Sequence, residues 1–324
     1  MNKVAEVHAV DAAKLTVPDE LHEPVAYFPT GNDYVALPLI NEGGVVESFN
    51  VLHMGCKGMV EFYGTPPAPL LAPVVRVDGL EIEGTHVHWE RLEQWLPRMT
   101  AEALGVRVTG TICAPIGHRG FVYSLHVENV SDRMLTVQFG WRGAWAQTRQ
   151  AIYRSRPMFG QRAAWYDRWT DTLAFEFGAG PAVAGFAVGA SRPFGTVGWS
   201  LTAEASDDDV FQQALARRGG PGAENRLREN NEDGRPLCFA VATDEVVHPG
   251  RSVELHLYVA VNAESDGAAT TVGDLQRRGA AVLLQQTRAW LAARMQPLAD
   301  EVLGARAYLN LWFNYFFASR RAIY

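Results

Sequence analysis

The densest concentration of chemically capable side chains lies between Trp141 and Trp169, in W-R-G-A-W-A-Q-T-R-Q-A-I-Y-R-S-R-P-M-F-G-Q-R-A-A-W-Y-D-R-W. Four of the nine tryptophans fall here (Trp141, Trp145, Trp165 and Trp169), with Tyr153 and Tyr166. Arg142, Arg149, Arg154, Arg156, Arg162 and Arg168 accompany them, against one acid, Asp167. Flat indole and phenol faces suit the C–H faces of pyranose rings, and guanidinium groups hydrogen-bond hydroxyls or carboxylates. Read as a long connection between strands, the segment is a candidate carbohydrate-binding loop. Its candidate contacts are Trp141, Trp145, Arg149, Tyr153, Trp165, Tyr166 and Trp169. The competing structural reading has the tryptophans filling the space beneath the connection while the arginines pair with acids elsewhere.

A second constellation, G-T-H-V-H-W-E-R-L-E (84–93), belongs to a different chemistry. On a strand His86 and His88 share a face, and Glu93 follows five residues on, the H-x-H-x4-E spacing of a cupin metal site. Two imidazoles and a carboxylate suit Zn, Fe or Mn. A later strand would have to add a histidine, with His118, His126, His248 and His256 available, but the complete second cupin motif is not seen. Surface or hydrogen-bonded histidines are the plainer alternative. The chain has no Gly-x-Ser-x-Gly, no P-loop and no Gly-x-Gly-x-x-Gly opening a helix. The carboxylates Glu61, Glu90, Glu93, Asp167 and Asp171 pair only if a fold brings them together.

The elements that would position these groups are strands. Alternation or short apolar runs predict strands at 35–40, 45–52, 74–77, 80–83, 105–113, 121–130, 134–139, 172–177, 182–190, 196–203, 237–242 and 252–261. Asp78-Gly79 marks a type I′ hairpin. Val106, Val108 and Ile112 should share one face, as should Phe121, Tyr123, Leu125 and Val127. So many strands without long helices between them predict antiparallel sheets packed face to face. Ser206–Arg218 reads as a short helix capped by Ser206, with Asp207–Asp209 at its start and Arg217 and Arg218 at its end. The Gly-, Asn- and charge-rich 219–236 reads as an exposed loop.

Beyond Asn262 the pattern turns helical. Asp274–Arg294 carries Leu275, Val282, Leu283 and Trp290 at helical spacing, and Pro297 opens a second helix. That helix ends in Y-L-N-L-W-F-N-Y-F-F-A (308–318), whose rings fall nearly all round the axis and require burial on every side.

G-F-V-Y-S-L-H-V-E-N-V-S-D-R-M-L-T-V-Q-F-G-W-R-G (120–143), and H-P-G-R-S-V-E-L-H-L-Y-V-A-V-N (248–262) followed by T-R-A-W-L-A-A-R (287–294), resemble the amino-terminal sandwich of multidomain glycoside hydrolases. In that architecture a galactose-mutarotase-like β-supersandwich precedes linker helices and an (α/α)6 barrel, as in glucoamylase-like inverting enzymes (six-hairpin glycosidases). L-N-L-W-F-N-Y-F-F-A-S-R-R (309–321) resembles the first inner helix of such a barrel. The resemblance implies a mainly β fold: a large antiparallel supersandwich over 1–268, followed by two C-terminal helices in 269–324. It implies carbohydrate processing in a supporting role, packed on a helical catalytic domain in the same or another chain. The acid and base of those families lie on barrel loops, so no catalytic residue carries over, and residues 1–324 alone are expected to hydrolyse nothing. A free-standing carbohydrate-binding module is the second reading and a cupin-like metal enzyme the third.

Composition narrows the remaining classes. The 324 residues are 48% hydrophobic and 20% charged, a folded rather than disordered chain. A formal charge of −7 argues against a nucleic-acid partner. No run reaches the roughly 18 apolar residues that cross a bilayer, and the first residues lack a secretory signal's apolar stretch. Cys56, Cys113 and Cys238 are too sparse for a disulfide framework or a metal knuckle. The expectation is a cytoplasmic protein without a cofactor, a homo-oligomer being left open.

Overall fold

The computed structural model describes residues 27–53, 58–64, 69–82, 86–151, 155–179, 182–203, 207–216, 226–262, 265–295 and 301–318. Its strands form three antiparallel sheets. The first has six strands in the order β1 (Thr30–Gly31), β2 (Val35–Ile40), β3 (Val46–His53), β4 (Gly58–Tyr63), β12 (Gln147–Ala151), β13 (Ser155–Pro157). The second has nine: β18 (Leu227–Asn230), β14 (Gln161–Asp167), β15 (Thr172–Ala179), β16 (Ala182–Ala190), β20 (Ser252–Asn262), β10 (Gly120–Asn129), β9 (Val106–Cys113), β8 (Leu96–Ala103), β7 (His88–Leu92). The third has five: β17 (Gly198–Thr202), β19 (Leu237–Val247), β11 (Leu135–Trp145), β5 (Ala72–Val77), β6 (Leu80–Glu81).

Alternation decides which side chains meet. Phe121, Tyr123, Leu125 and Val127 on β10 and Leu255, Leu257, Val259 and Val261 on β20 all point into one core, because period two puts every second residue on the same face. That core is shared by all three sheets. Phe186 of the nine-stranded sheet stacks on Phe175 at 4.2 Å and meets Phe62 of the six-stranded sheet at 5.0 Å and Trp145 of the five-stranded one at 5.3 Å. The predicted hairpin at Asp78-Gly79 is present, with φ 51° and 86°.

Several expectations are corrected. Residues 141–169 are not a loop: β11 runs to Trp145, the chain passes into the six-stranded sheet at β12 and β13, and β14 joins the nine-stranded sheet. Residues 227–230 form β18 rather than a loop, and Asn231 is fully buried; 217–225 lie outside the described residues. The short helix is found as α1 (Asp207–Ala216), while its proposed cap Ser206 and Arg217 and Arg218 are outside the described residues.

The single helix expected over 274–294 is two, α2 (Ser265–Arg278) and α3 (Ala280–Ala292), and α4 (Glu301–Phe313) continues into a π-helical turn, Asn314–Ala318. Gly279 makes the break between α2 and α3, with φ 81° and ψ 144°, a backbone region that side chains with a Cβ disfavour. Tyr258 Oη then accepts the Ala280 N–H at 3.1 Å and pins the start of α3 to β20. Gly279→Ala meets no clash, so its cost is backbone strain, expected at about 1–3 kcal/mol and measurable by urea denaturation.

Candidate functional site

The basic aromatic run separates into groups with different surroundings. Trp141 and Trp145 are 0% exposed. Trp141 lies between Pro73 and Val241 on the neighbouring strands and meets Tyr123 at 5.7 Å. Trp145 packs edge-on against Phe62, Phe175 and Phe186. Neither indole reaches a ligand; both face inward because β11 alternates with its odd residues towards the core.

Arg162 is likewise buried. Its guanidinium donates to the carbonyls of Trp145, Asn230 and Arg235 and lies over Trp145. Burial pulls its pKa down to about 10, which still leaves it cationic at neutral pH. Asn231 completes this buttress: it accepts from Thr148 N at 2.7 Å and donates to the carbonyls of Thr148 and Met158 at 2.8 and 2.6 Å.

The other members of the run lie nearer the surface. Tyr166 donates to Asp171 Oδ1 at 2.7 Å and stacks on Trp199 at 4.6 Å; desolvation and the Asp171 carboxylate push its phenol pKa up. Trp165 is half-buried under the Arg226 guanidinium, 4.1 Å from its ring centroid. Arg149 lies over Tyr63 at 4.2 Å and donates to Gln147 Oε1. Trp169, at the β14–β15 turn, is 86% exposed. Tyr153 lies outside the described residues.

The H-x-H-x4-E set is not brought together. β7 ends at Leu92, and Glu93 and Gln94 turn the chain with φ 49° and 58°. The Glu93 carboxylate instead pairs with Arg288 of α3 at 2.8 Å. Among the described residues no three His, Cys, Asp or Glu side chains are grouped to hold a metal.

His86 and His88 nevertheless stand at a cavity of about 700 Å³ that opens between the nine- and five-stranded sheets. Its floor is apolar, with Val75 from β5, Met99 and Ala101 from β8 and Val108 from β9, while Phe28, Trp89, Glu42 and the two imidazoles line the rest. The turn carrying Glu42 is held down by Tyr123, whose hydroxyl donates to Gly44 O at 2.8 Å. A Cβ on Gly44 would lie 2.5 Å from that hydroxyl and from the Met99 sulfur, and its φ of 76° favours glycine independently. Sequence reading missed this cleft because its floor residues look like ordinary core positions on strands far apart in the chain.

Ser124, His256 and Glu254 form a further row on the outer face of the nine-stranded sheet. His256 Nδ1 is 2.9 Å from Ser124 Oγ, and its Nε2 is 3.7 Å from Glu254 Oε1. Ser124 lies mid-strand with partners on both sides, so backbone N–H groups there serve the ladder and none is free to stabilise an oxyanion.

The carboxy-terminal aromatic helix is covered on one side. Trp312 and Phe316 are buried with Trp95, Leu96, Cys113 and Leu291; Phe316 stacks on Trp95 at 5.5 Å, and Trp95 Nε1 donates to Gly31 O at 2.8 Å. Leu311, Phe313 and Tyr315 are 49%, 43% and 49% exposed.

No protein-family model and no curated protein sequence matches the chain. Solved structures do. A bacterial glucoamylase complexed with acarbose aligns with a TM-score of 0.51 and 8% identity over 91% of this chain and 42% of its own. A human-microbiome protein assigned as a kojibiose phosphorylase aligns at 0.47 and 8% identity over 82% of this chain and 35% of its own. A family GH92 α-mannosidase from Bacteroides thetaiotaomicron aligns at 0.45 and 13% identity over 91% and 39%. The chain thus spans less than half the length of each. At 8% identity the likeness to the glucoamylase establishes a shared fold and leaves activity open.

The two classes of tryptophan make opposite predictions. Trp145→Ala should destabilise by about 3–5 kcal/mol through the cavity it leaves, whereas Trp169→Ala should stay within about 0.5 kcal/mol of the parent. Denaturant titration of the pair checks both.

Proposed function

We propose that this chain is the β-supersandwich part of a carbohydrate-active enzyme, with 1–268 as the sandwich and 269–324 as the linker and first helix of a helical catalytic body. The observation that carries the reading is the state of α4. Trp312 and Phe316 pack on Trp95 and Trp290, while Leu311, Phe313 and Tyr315 remain about half exposed around them. A helix apolar nearly all round is built to lie between two bodies. The fold shared with a bacterial glucoamylase, of which the chain spans 42%, supports the same reading. The helical body, in the same chain or another, would supply a general acid and base for a glycosidic bond. The sandwich would support it, and Trp165 and Trp169, with Arg149 and Tyr166, are the members of the aromatic run placed near enough to the surface to meet a sugar.

Residues 1–324 alone should therefore turn over no glycoside and should self-associate through α4. In sedimentation velocity, the combined variant Leu311→Ser, Phe313→Ser, Tyr315→Ser should shift the protein to monomer. Its melting temperature should fall only modestly, because the three side chains are about half exposed and the cost comes from contacts such as those of Tyr315 with Trp290, Trp312 and Phe316. A parent that is monomeric throughout, or glycosidase turnover by the isolated chain, would overturn the reading.

A further inference from the structure

Three planar groups stand in a column beside the cleft. The Arg91 guanidinium lies over the Phe28 ring, 5.5 Å from its centroid, and is held by a hydrogen bond from Nη1 to Pro29 O at 3.1 Å. Phe28 is stacked on Trp89, with centroids 4.0 Å apart and planes 11° from parallel. Two groups cannot share one face of a ring, so Arg91 and Trp89 occupy opposite faces of Phe28. Trp89 itself lines the cleft, and Phe28 covers only one of its two faces. Among the described residues no other ring or cation stacks on it. The indole is also fixed in rotation, since its Nε1 donates to Glu42 O at 2.9 Å.

We propose that this cleft binds a small planar aromatic molecule whose ring extends the Phe28–Trp89 stack. Hydrogen-bonding groups on one edge of that molecule would meet His86, His88 and Glu42. The volume of about 700 Å³ is in the range of small-molecule sites. The floor selects against the obvious rival: a pyranose laid on Trp89 would press its equatorial hydroxyls against Val75, Met99, Ala101 and Val108, which offer no partner. An aromatic ring has no such groups on its buried edges, and offset stacking on an indole adds to the gain from burial. The polar groups Glu42, His86 and His88 are all exposed, which orients a ring bearing a hydroxyl or ring nitrogen with that edge outward. This site does not depend on the helical body proposed above.

The test is a titration of the full chain carrying ¹³C-labelled methionine methyl groups. Met99 lines the cleft, and its signal among the seven methionines is assigned from Met99→Leu. The probes are 2-naphthol, methyl α-D-glucopyranoside and decanoate. A ring stacked on Trp89 should give the Met99 methyl a saturable ring-current shift with 2-naphthol only. Filling the cleft by Ala101→Trp or, at its rim, Val87→Trp should weaken that binding by about tenfold or more. The other methionine signals report whether each filled variant is folded. Trp169→Ala and the serine variant of α4 should bind as the parent does. No saturation with 2-naphthol overturns the proposal, as does unchanged affinity in a folded filled variant. A Met99 shift produced by the glucoside or decanoate in place of the naphthol overturns it too.

Discussion

The structure depends on keeping one interior dry where three sheets converge. Antiparallel sheets bury one face each, and here the three buried faces meet on a single aromatic group around Phe186, Phe175, Phe62 and Trp145. The chain supplies that junction by letting β11 pass through Ala146 into β12, so one extended run serves two sheets. Trp145 sits at the crossing. Its size is needed because a smaller side chain would leave a gap bordered by rings from three directions, and aromatic edges cannot relax into such a space.

A crossing between sheets leaves backbone groups without ladder partners, and burying them unpaired would be costly. Asn231 and Arg162 answer that need. Arg162 collects the Trp145, Asn230 and Arg235 carbonyls, and Asn231 bonds both backbone groups of Thr148. The local excess of arginine and tryptophan that suggests ligand chemistry is thus in good part the chemistry of closing the fold. Trp165 and Trp169, each with a guanidinium over its ring, lie outside that closure.

The β7–β8 hairpin joins the two surfaces of functional interest. Trp89 and Met99 face the cleft, while Trp95, at the end of the same hairpin, receives Phe316 of the terminal helix. Glu93 at its tip grips Arg288 of α3. One short element therefore contacts both the helical segment and the cleft.

Alternation is a local property, and it sufficed for most strands: β2, β9, β10, β16 and β20 are legible to within a residue or so, as are the Asp78-Gly79 turn and the inward faces of β9 and β10. It also made the terminal helix stand out as apolar all round. Strands β1, β4, β7, β8, β12, β13, β14 and β18 were not legible, because they are short or carry no clean period and sheet neighbours distant in sequence complete them. The break at Gly279 hid inside a helical pattern that continues across it. Tertiary structure alone decided that Trp141 and Trp145 are core while Trp169 is surface, that Glu93 serves an arginine instead of joining two histidines, and that Phe28, Trp89 and Met99 border one cavity. A side chain's type is written in the chain, but its neighbours are fixed by sheet order and register, which arise only when distant segments pair.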